Sequence, residues 1–308
     1  MKAAVELLEW TGQTWNEFWF NPSPAQRLNA LRWGVCSLAF LWFMVQCVDV
    51  EAWYGSSGWL ESKLARQVMV ASDGSWLSRF RISPLWALST PAAVRLWAAS
   101  GLVLSILVGM RRGGRAVALV LWLCFLALVH RSAWATGAFE PFLAACLSYL
   151  VIDAGRFENS VFKTKATDPG PSLSPMDDRW STTLATRLFQ VHLFLLIAFQ
   201  LGSQLSAACW WRGDAVWWLA VTGQSHLLST DMLRGHVLLV NALTHAIVLC
   251  GILAIATLWH ARLRIVGVVA ACLVGLAYAF IADQFLYGAL QICIATFAFR
   301  PRPAVAPI

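Results

Sequence analysis

The residues that could do chemistry in this chain are polar side chains set within long apolar stretches. Gln200 and Gln204 are four positions apart, so the pair would share one face of a helix. The other candidates lie within or at the ends of further apolar stretches: His130, Arg131, Glu140, Asn241 and His245. An imidazole can accept a proton near neutral pH, a guanidinium can bind an anion, and an amide can hydrogen-bond a carbonyl. These residues are therefore the first candidates for a site.

The sequence after Gln204 adds aromatic and basic candidates. Trp210, Trp211 and Arg212 are consecutive, and they belong to one of two Trp-rich loops, at 49–90 and 206–236, that we predict on the outer side of a membrane. We expect the two tryptophans to close a pocket over the polar side chains. Arg131 or Arg212 would then offer a charged contact to an anionic ligand.

The elements that position these residues are apolar segments long enough to cross a bilayer. The 308 residues are 59% hydrophobic and 13% charged, they include 18 tryptophans, and their mean hydropathy is +0.63. This composition excludes a soluble globular protein and predicts an all-α, polytopic membrane bundle. A span needs about 20 mostly apolar residues. About eight are predicted, at 29–48, 91–110, 116–133, 135–152, 184–205, 237–258, 265–282 and 284–299.

The Lys and Arg residues predict which side of the membrane each loop faces. With the N-terminus in the cytoplasm, 15 of the 23 basic residues fall in inner loops or at inner helix ends, and 8 fall outside. This asymmetry follows the positive-inside rule and predicts that both termini are cytoplasmic. It also accounts for much of the formal charge of +7 without a nucleic-acid partner. We expect the bacterial inner membrane as the location.

Four regions are predicted along the chain. Residues 1–22 form an amphipathic segment, either a helix lying in the membrane interface or one packed on the bundle. Residues 23–153 hold the first four spans, and 154–183 form a proline-containing cytoplasmic linker. Residues 184–308 hold the last four spans. Within them, 265–299 forms either two full spans or one re-entrant hairpin.

In this topology the polar candidates all fall in the outer half of the membrane, below the loop at 210–218. One interpretation is a polar pocket that holds a lipid or a quinone-like molecule. The other is that these side chains bridge helices, with hydrogen bonds that contribute about 1 kcal/mol or less each. Glu140 is also placed to pair with Arg131.

Cysteines and histidines give no metal signature. The eight cysteines include no C-x-x-C pair, and the six histidines include no H-x-x-x-H or H-E-x-x-H spacing. We therefore predict no metal site and no cofactor other than a bound quinone or lipid. A disulfide between Cys47 and Cys209, the two cysteines nearest the predicted outer surface, is left open. A haem bound by histidines that do not form one of these spaced motifs is also left open.

Several motifs resemble those of the horizontally transferred transmembrane (HTTM) family, which includes the vitamin K-dependent gamma-carboxylase. The resemblance covers about residues 20–300 in order, and its most specific part is the tryptophan, glycine and alanine pattern at 210–217. The other matching pieces are Leu31-Arg32, the segments at 51–55 and 58–60, His130-Arg131 and Gln190-Val191-His192. The resemblance implies a multi-pass helical membrane protein with a lipophilic pocket.

The resemblance also implies a catalytic base that this chain lacks. In the carboxylase branch an intramembrane lysine starts the chemistry on reduced vitamin K, and counting back from Trp210 places that lysine at Gln204. An amide cannot accept a proton at neutral pH. A glutamate expected on the following span falls near Gly251. The resemblance therefore favours a non-carboxylating member, a pseudoenzyme candidate without catalytic residues, that binds a lipophilic ligand or a partner membrane subunit.

Two alternatives stay open at this point. One is a membrane enzyme of the carboxylase or epoxidase kind that acts on a quinol or lipid with His130 or His192 as its base. Glu140 would then orient the imidazole. The other is a transporter or a structural scaffold subunit, which would show a polar cavity through the bundle or a large flat apolar interface.

Overall fold

The described part of the chain is helical in every regular element. The computed structural model describes residues 2–21, 26–48, 50–54, 58–59, 67, 83–88, 90–132, 137–153, 180–222 and 230–299. Its elements are helices and turns, which confirms the predicted all-α class. The predicted linker at 154–179, most of the outer loop at 49–90, and residues 300–308 lie outside the described residues.

The helices are numbered here in chain order. They are α1 (Lys2–Phe20), α2 (Gln26–Val48), α3 (Val50–Tyr54), α4 (Pro91–Gly109), α5 (Gly114–Arg131), α6 (Phe139–Asp153), α7 (Trp180–Ser206), α8 (Ala208–Arg212), α9 (Ala215–Thr222), α10 (Thr230–Arg234), α11 (Val237–Thr257), α12 (Arg264–Ile281) and α13 (Phe285–Ala298), with a 3-10 turn at Pro84–Trp86. Each predicted span overlaps one of the longer helices.

Among the described residues, six helices are long and apolar enough to cross a membrane: α2, α4, α5, α7, α11 and α12. They indicate an integral membrane protein in a lipid bilayer. The helices α6 and α13 have only 15 and 14 residues, which corresponds to about 21 to 23 Å at 1.5 Å per residue. The prediction of eight full spans therefore stays a prediction.

The chain divides into two compact units, residues 32–182 and residues 1–31 with 183–308. In the first unit, α4, α5 and α6 pack as consecutive neighbours around the aromatic rings of Trp42, Phe43 and Phe125. A Cβ atom at Gly101 would lie 2.4 Å from the Phe43 ring. The absence of a side chain there lets Phe43 sit against α4.

A buried ion pair ties α2 to the end of α6 in the same unit. The Arg32 guanidinium lies 2.9 Å from the Asp153 carboxylate, and both side chains are buried. The hydroxyl of Thr182 donates to the second carboxylate oxygen of Asp153. Thr182 lies in the first turn of α7, so residues 180–183, predicted as the end of a linker, are helical.

In the second unit α11, α12 and α13 pack side by side. Gly275 and Gly288 meet between α12 and α13, where a Cβ on Gly288 would lie 2.3 Å from the Gly275 carbonyl oxygen. Small residues allow such close backbone approach between membrane helices. Residues 265–299 thus form two closely packed helices joined at 282–284.

The N-terminal helix α1 belongs to this second unit, and its two ends differ. Trp10 and Trp15 are 63% and 61% exposed, while Phe18 packs against Trp259, with ring centroids 5.5 Å apart. Residues 9–17 of this helix are exposed on all sides, while its C-terminal end is packed within the unit.

Candidate anion-binding cavity

A cavity of about 280 Å³ lies within the second unit, where several helices begin or end. Its described lining residues come from the first turn of α2, the third and fourth turns of α7, the segments that follow α11 and α13, and the start of α12: Arg27, Arg187, Gln190, Leu258, Trp259, Arg264 and Phe299. Three of these described residues are arginines, and none is acidic. This lining creates a positive potential in a confined space, which favours an anion.

Arg187 makes hydrogen bonds to a backbone carbonyl and to an amide side chain. Its Nε donates to the carbonyl oxygen of Phe18 at 3.1 Å, and its Nη1 donates to Oε1 of Gln190 at 2.9 Å. The guanidinium carbon lies 4.4 Å from the centroid of the Phe18 ring. Gln190 is fixed in turn, because its Nε2 donates to the carbonyl oxygen of Ala298. These bonds orient the guanidinium.

Arg264 stands at the N-terminal end of α12. Its Nε is buried and makes no hydrogen bond to the described residues, which leaves a donor that a bound acceptor would satisfy. The preceding residue, Leu263, makes no side-chain capping bond to the first turn. The N-terminus of a helix carries about half a positive charge, so α12 adds to the positive potential of its own arginine.

A smaller cavity of about 50 Å³ adjoins this one and shares Arg27, Arg187 and Gln190 with it. It is also lined by Asn21, Thr183, Thr186 and Glu17. The Thr183 hydroxyl donates to the carbonyl oxygen of Asn21 at 2.7 Å, which joins the segment after α1 to the start of α7. Glu17 is the acidic residue in this second lining, and its side chain is exposed.

An aromatic cluster forms the apolar wall of the larger cavity. The Trp259 ring lies 5.5 Å from Phe18, 6.3 Å from Phe194 and 5.6 Å from Phe299, measured between centroids. Leu258 completes the apolar part of the lining. Guanidinium groups beside indole and phenyl rings match a molecule that is charged at one end and apolar at the other.

The described side chains that line the larger cavity are suited to binding. Its lining side chains are guanidinium, amide, aliphatic and aromatic groups, and none of these is a base or a nucleophile at neutral pH. The arginines could hold an anionic group, and the rings could hold an apolar one.

The two predicted pocket glutamines bridge helices. The Gln200 amide donates to the Tyr287 hydroxyl, and the Gln204 amide donates to the Tyr278 hydroxyl at 3.2 Å. The two tyrosine rings meet edge to face with centroids 5.8 Å apart. Gln204 is buried. This arrangement matches the bridging interpretation, in which the polar side chains hold α7 to α12 and α13.

The other candidates of this unit lie on different surfaces. His245 is exposed on α11, and Asn241 sits against the turn at Gly213, whose φ of +83° glycine adopts without strain. Trp210 packs on an apolar cluster, and Trp211 is 68% exposed. Arg212 pairs with Asp214 at 3.2 Å. Within the described residues, no hydrogen bond or ion pair joins His245 to either glutamine.

In the first unit, Arg131 and Glu140 make separate contacts. Arg131 is buried, and its Nη1 donates to the carbonyl oxygens of Leu85 and Leu88. Its guanidinium carbon lies 5.0 Å from the centroid of the Tyr54 ring. The Glu140 carboxylate accepts hydrogen bonds from the Trp42 indole and the Gly137 amide. In the described part of the chain, the two residues thus form no ion pair with each other.

Tyr54 stays neutral beside these charges. Burial raises the pKa of its phenol to about 12, and the nearby Arg131 guanidinium only partly opposes this effect. Its hydroxyl donates to Oε1 of Gln46 at 2.8 Å. His130, the neighbour of Arg131, is half-buried. The predicted pocket role of His130, Arg131 and Glu140 stays a prediction.

The cysteines are free thiols in the structure, Cys47 and Cys209 included. The disulfide that the sequence left open is therefore not formed.

The sequence did not single out the arginine cavity. Arg27 and Arg264 entered only the count of inner basic residues, and Arg187 and Gln190 are polar positions near the start of the fifth predicted span. The available signal was that Arg187 lies three residues inside the predicted span at 184–205. A charge within a span usually faces the bundle interior.

Comparison with known proteins finds no similar protein. No family model, no curated protein and no solved structure matches the chain.

Proposed function

We propose that this protein is a multi-pass membrane protein that binds an amphiphile with an anionic headgroup in the arginine cavity. The observation that carries the proposal is the lining by Arg27, Arg187 and Arg264, with no acidic side chain among the described lining residues, around a volume of about 280 Å³. Pockets for small ligands occupy about 300 to 1,000 Å³. The cavity is thus the right size for a headgroup and too small for a whole lipid.

The position and the apolar wall favour a lipid-like ligand over a soluble anion. The cavity lies where α2, α7 and α12 begin and where α11 and α13 end, which is one end of the membrane-crossing segments. Lipid headgroups are concentrated at this depth. The Trp259 cluster gives an apolar chain a surface next to the charges. A cytoplasmic location of this end is part of the same proposal, because basic residues favour that side.

Membership of the HTTM family without carboxylase activity is part of the proposal. Its support is the set of sequence motifs described above, together with the contacts of Gln204. The side chain at the position of the expected lysine is an amide that donates to Tyr278, so it offers no proton acceptor of the required basicity. The outer-half pocket, with its lipid or quinone-like ligand, and a partner subunit remain predictions of the sequence.

The experiment that tests the function compares lipid retention by two arginine variants. The protein is purified in mild detergent, and bound phosphatidylglycerol and phosphatidylcholine are measured by native mass spectrometry. Arg264→Gln removes a lining guanidinium, while Arg262→Gln removes the same charge from an exposed position outside the lining two residues away. A hydrogen bond to a charged group contributes about 1.5 to 3 kcal/mol, so we expect roughly tenfold weaker phosphatidylglycerol binding only in Arg264→Gln.

Phosphatidylcholine serves as the internal reference, because its headgroup has no net charge. Equal loss of phosphatidylglycerol in the two arginine variants would show that general surface charge, and not the cavity, holds the anionic lipid. No preference for the anionic over the zwitterionic lipid in the wild-type protein would contradict the proposed function.

A further inference from the structure

We infer that the N-terminal helix α1 lies on the surface of the bilayer, with Trp10 and Trp15 in contact with lipid. The sequence allows two forms of residues 1–22, a helix in the membrane interface and a helix packed on the bundle. The contacts of α1 favour the packed form only at its last turn and the interfacial form before it. The inference concerns the exposed surface of α1 and does not rest on the proposed function.

The last turn of α1 is attached to one end of two membrane-crossing helices. The carbonyl oxygen of Phe18 accepts a hydrogen bond from Nε of Arg187 on α7 at 3.1 Å. The carbonyl oxygen of Asn21, just after α1, accepts one from the Thr183 hydroxyl at 2.7 Å. The Phe18 ring packs against Trp259, which follows the end of α11. The end of α1 is therefore at the level where α7 begins and α11 ends, and headgroups of the surrounding lipid lie at that level.

The earlier turns of α1 have no cover from the described part of the chain. Residues 9–17 are exposed on all sides, and Trp10 and Trp15 are 63% and 61% exposed. A Cβ atom at Gly12 would have no neighbour within 4 Å beyond the backbone of its own helix. A helix in a protein gains most of its stability from the packing of one face, and exposed indole rings are unfavourable in water. A surface outside the chain must therefore cover this part of α1.

The arrangement of side chains around α1 matches a bilayer surface. At about 100° per residue, Trp10 and Trp15 lie about 140° apart and flank a face that also contains Phe18. Because Phe18 packs on Trp259, the face that meets the bundle at the end of α1 continues as the tryptophan face. Tryptophan is enriched at the membrane interface, and a helix with one aromatic and one polar face lies in that plane. The opposite face is polar: Glu9, Gln13 and Asn16.

The charge of α1 indicates which force holds it on the membrane. Its sequence contains three glutamates and one lysine. Helices that bind anionic lipids through charge carry Lys and Arg on the polar face, and α1 lacks this pattern. Apolar contact therefore provides the attachment. Neither anionic lipid nor low salt should strengthen it, in contrast to ligand binding by the arginine cavity.

The test identifies the occupant of the tryptophan face by photo-cross-linking. The photoreactive residue benzoylphenylalanine replaces either Trp15 or Gln13 in the full chain, which is reconstituted in phosphatidylcholine vesicles and illuminated. Both positions are exposed, so neither replacement should disturb folding. Mass spectrometry of the adducts should show roughly fivefold or more phospholipid attached at the position of Trp15 than at that of Gln13, because Gln13 faces water.

Two further measurements test the force that holds the helix. Replacement of half the phosphatidylcholine by phosphatidylglycerol, or a change from low to high salt, should leave the yield of lipid adducts unchanged. The double variant Trp10→Gln with Trp15→Gln should increase amide hydrogen exchange in α1 about tenfold in vesicles, because it removes the apolar contact. Leucine would keep part of that contact, so glutamine is used. Gln13→Ala is the control and should change exchange little.

Each outcome has one interpretation. Adducts with a second copy of the chain or with another protein, in place of lipid, would overturn the inference. Equal lipid adducts at the two positions would show that α1 is immersed in lipid, which contradicts a helix lying on the surface. A yield that rises with phosphatidylglycerol and falls with salt would show attachment by charge and would overturn the apolar mechanism. None of these outcomes affects the proposed function, which is tested separately at Arg264.

Discussion

The central carbon of the Arg187 guanidinium lies 4.4 Å from the centroid of the Phe18 ring, and the same guanidinium donates to the backbone carbonyl of Phe18. One residue of α1 thus holds an arginine that lines the cavity. Attachment of the N-terminal helix and the geometry of the site are therefore coupled within this unit.

Replacing Phe18 should loosen α1. Phe18→Leu keeps an apolar side chain but removes the ring, and a cation–π contact of this kind contributes about 0.5 to 1 kcal/mol. We expect amide hydrogen exchange in Lys2–Phe20 to increase roughly threefold to fivefold. Trp10→Leu is the control, because Trp10 is 63% exposed and should change exchange little. Equal increases in both variants would show that the Phe18 contact has no special role.

Removing the buried carboxylate of Asp153 should destabilise the first unit strongly. Asp153→Asn removes the carboxylate that pairs with the buried Arg32 guanidinium, at a cost of about 3 to 5 kcal/mol. The matched control is Glu51→Gln, since the Arg95–Glu51 pair is 3.8 Å apart and exposed, and such pairs contribute about 0 to 1 kcal/mol. Thermal unfolding in detergent measures the change in stability of both variants. A small shift for Asp153→Asn would mean that Arg32 finds another partner.

The glutamine and tyrosine contacts should contribute little individually. A double-mutant cycle with Gln204→Leu and Tyr278→Phe isolates their hydrogen bond of 3.2 Å. Membrane hydrogen bonds measured in this way average about 0.6 kcal/mol and reach about 1.7 kcal/mol, so we expect a coupling energy in that range. Unfolding in mixed detergent micelles provides the measurement. Zero coupling would show that the bond is not formed in solution.

Because Arg131 bonds to backbone carbonyls nearby, we expect its replacement to affect mainly the backbone that it contacts. Arg131→Met removes the hydrogen bonds to the carbonyls of Leu85 and Leu88, but it also removes a buried charge. These two changes have opposite signs in the free energy of unfolding. We expect faster hydrogen exchange at residues 85–88 and a change in overall stability within about 1 kcal/mol. Arg95→Gln, at an exposed position, is the control. Unchanged exchange at 85–88 would contradict this role.

The uncharged side chain at position 204 predicts a negative result in a carboxylase assay. Purified protein incubated with reduced vitamin K, carbon dioxide and a glutamate-containing peptide should incorporate no carbon dioxide and form no epoxide, because Gln204 cannot remove a proton. Detection of either product would show that another residue acts as the base, with His130 and His192 the first to test by substitution.

The helices were predictable from the sequence because the apolar runs alone mark them. The start of α7 was placed late, at residue 184, because Thr182 and Thr183 are polar, and their hydroxyls are satisfied by Asp153 and Asn21 only in the folded chain. The amino-acid composition around residue 182 does not reveal hydrogen-bond partners that are distant in the sequence. The same limit explains why helix ends were less accurate than helix positions.

The site was harder to predict because its parts are distant in the chain. Arg27, Arg187 and Arg264 are separated by 160 and 77 residues, and only packing of α7 with its neighbours brings them to one cavity. Gln200 and Gln204 were correctly predicted to share a helix face. Whether that face met a ligand or the tyrosines of α12 and α13 depended on the pairing of helices, which spacing along one helix does not reveal.

The close approach of Gly275 and Gly288 has a consequence for biogenesis. The helix α13 has 14 residues, fewer than the roughly 20 that a segment needs to partition into lipid by itself. It fits tightly against α12 only because both contact positions are glycine. We therefore expect the translocation machinery to release α12 and α13 together as a preassembled hairpin. A bulky residue at either glycine would then prevent insertion of α13 into the bilayer during synthesis.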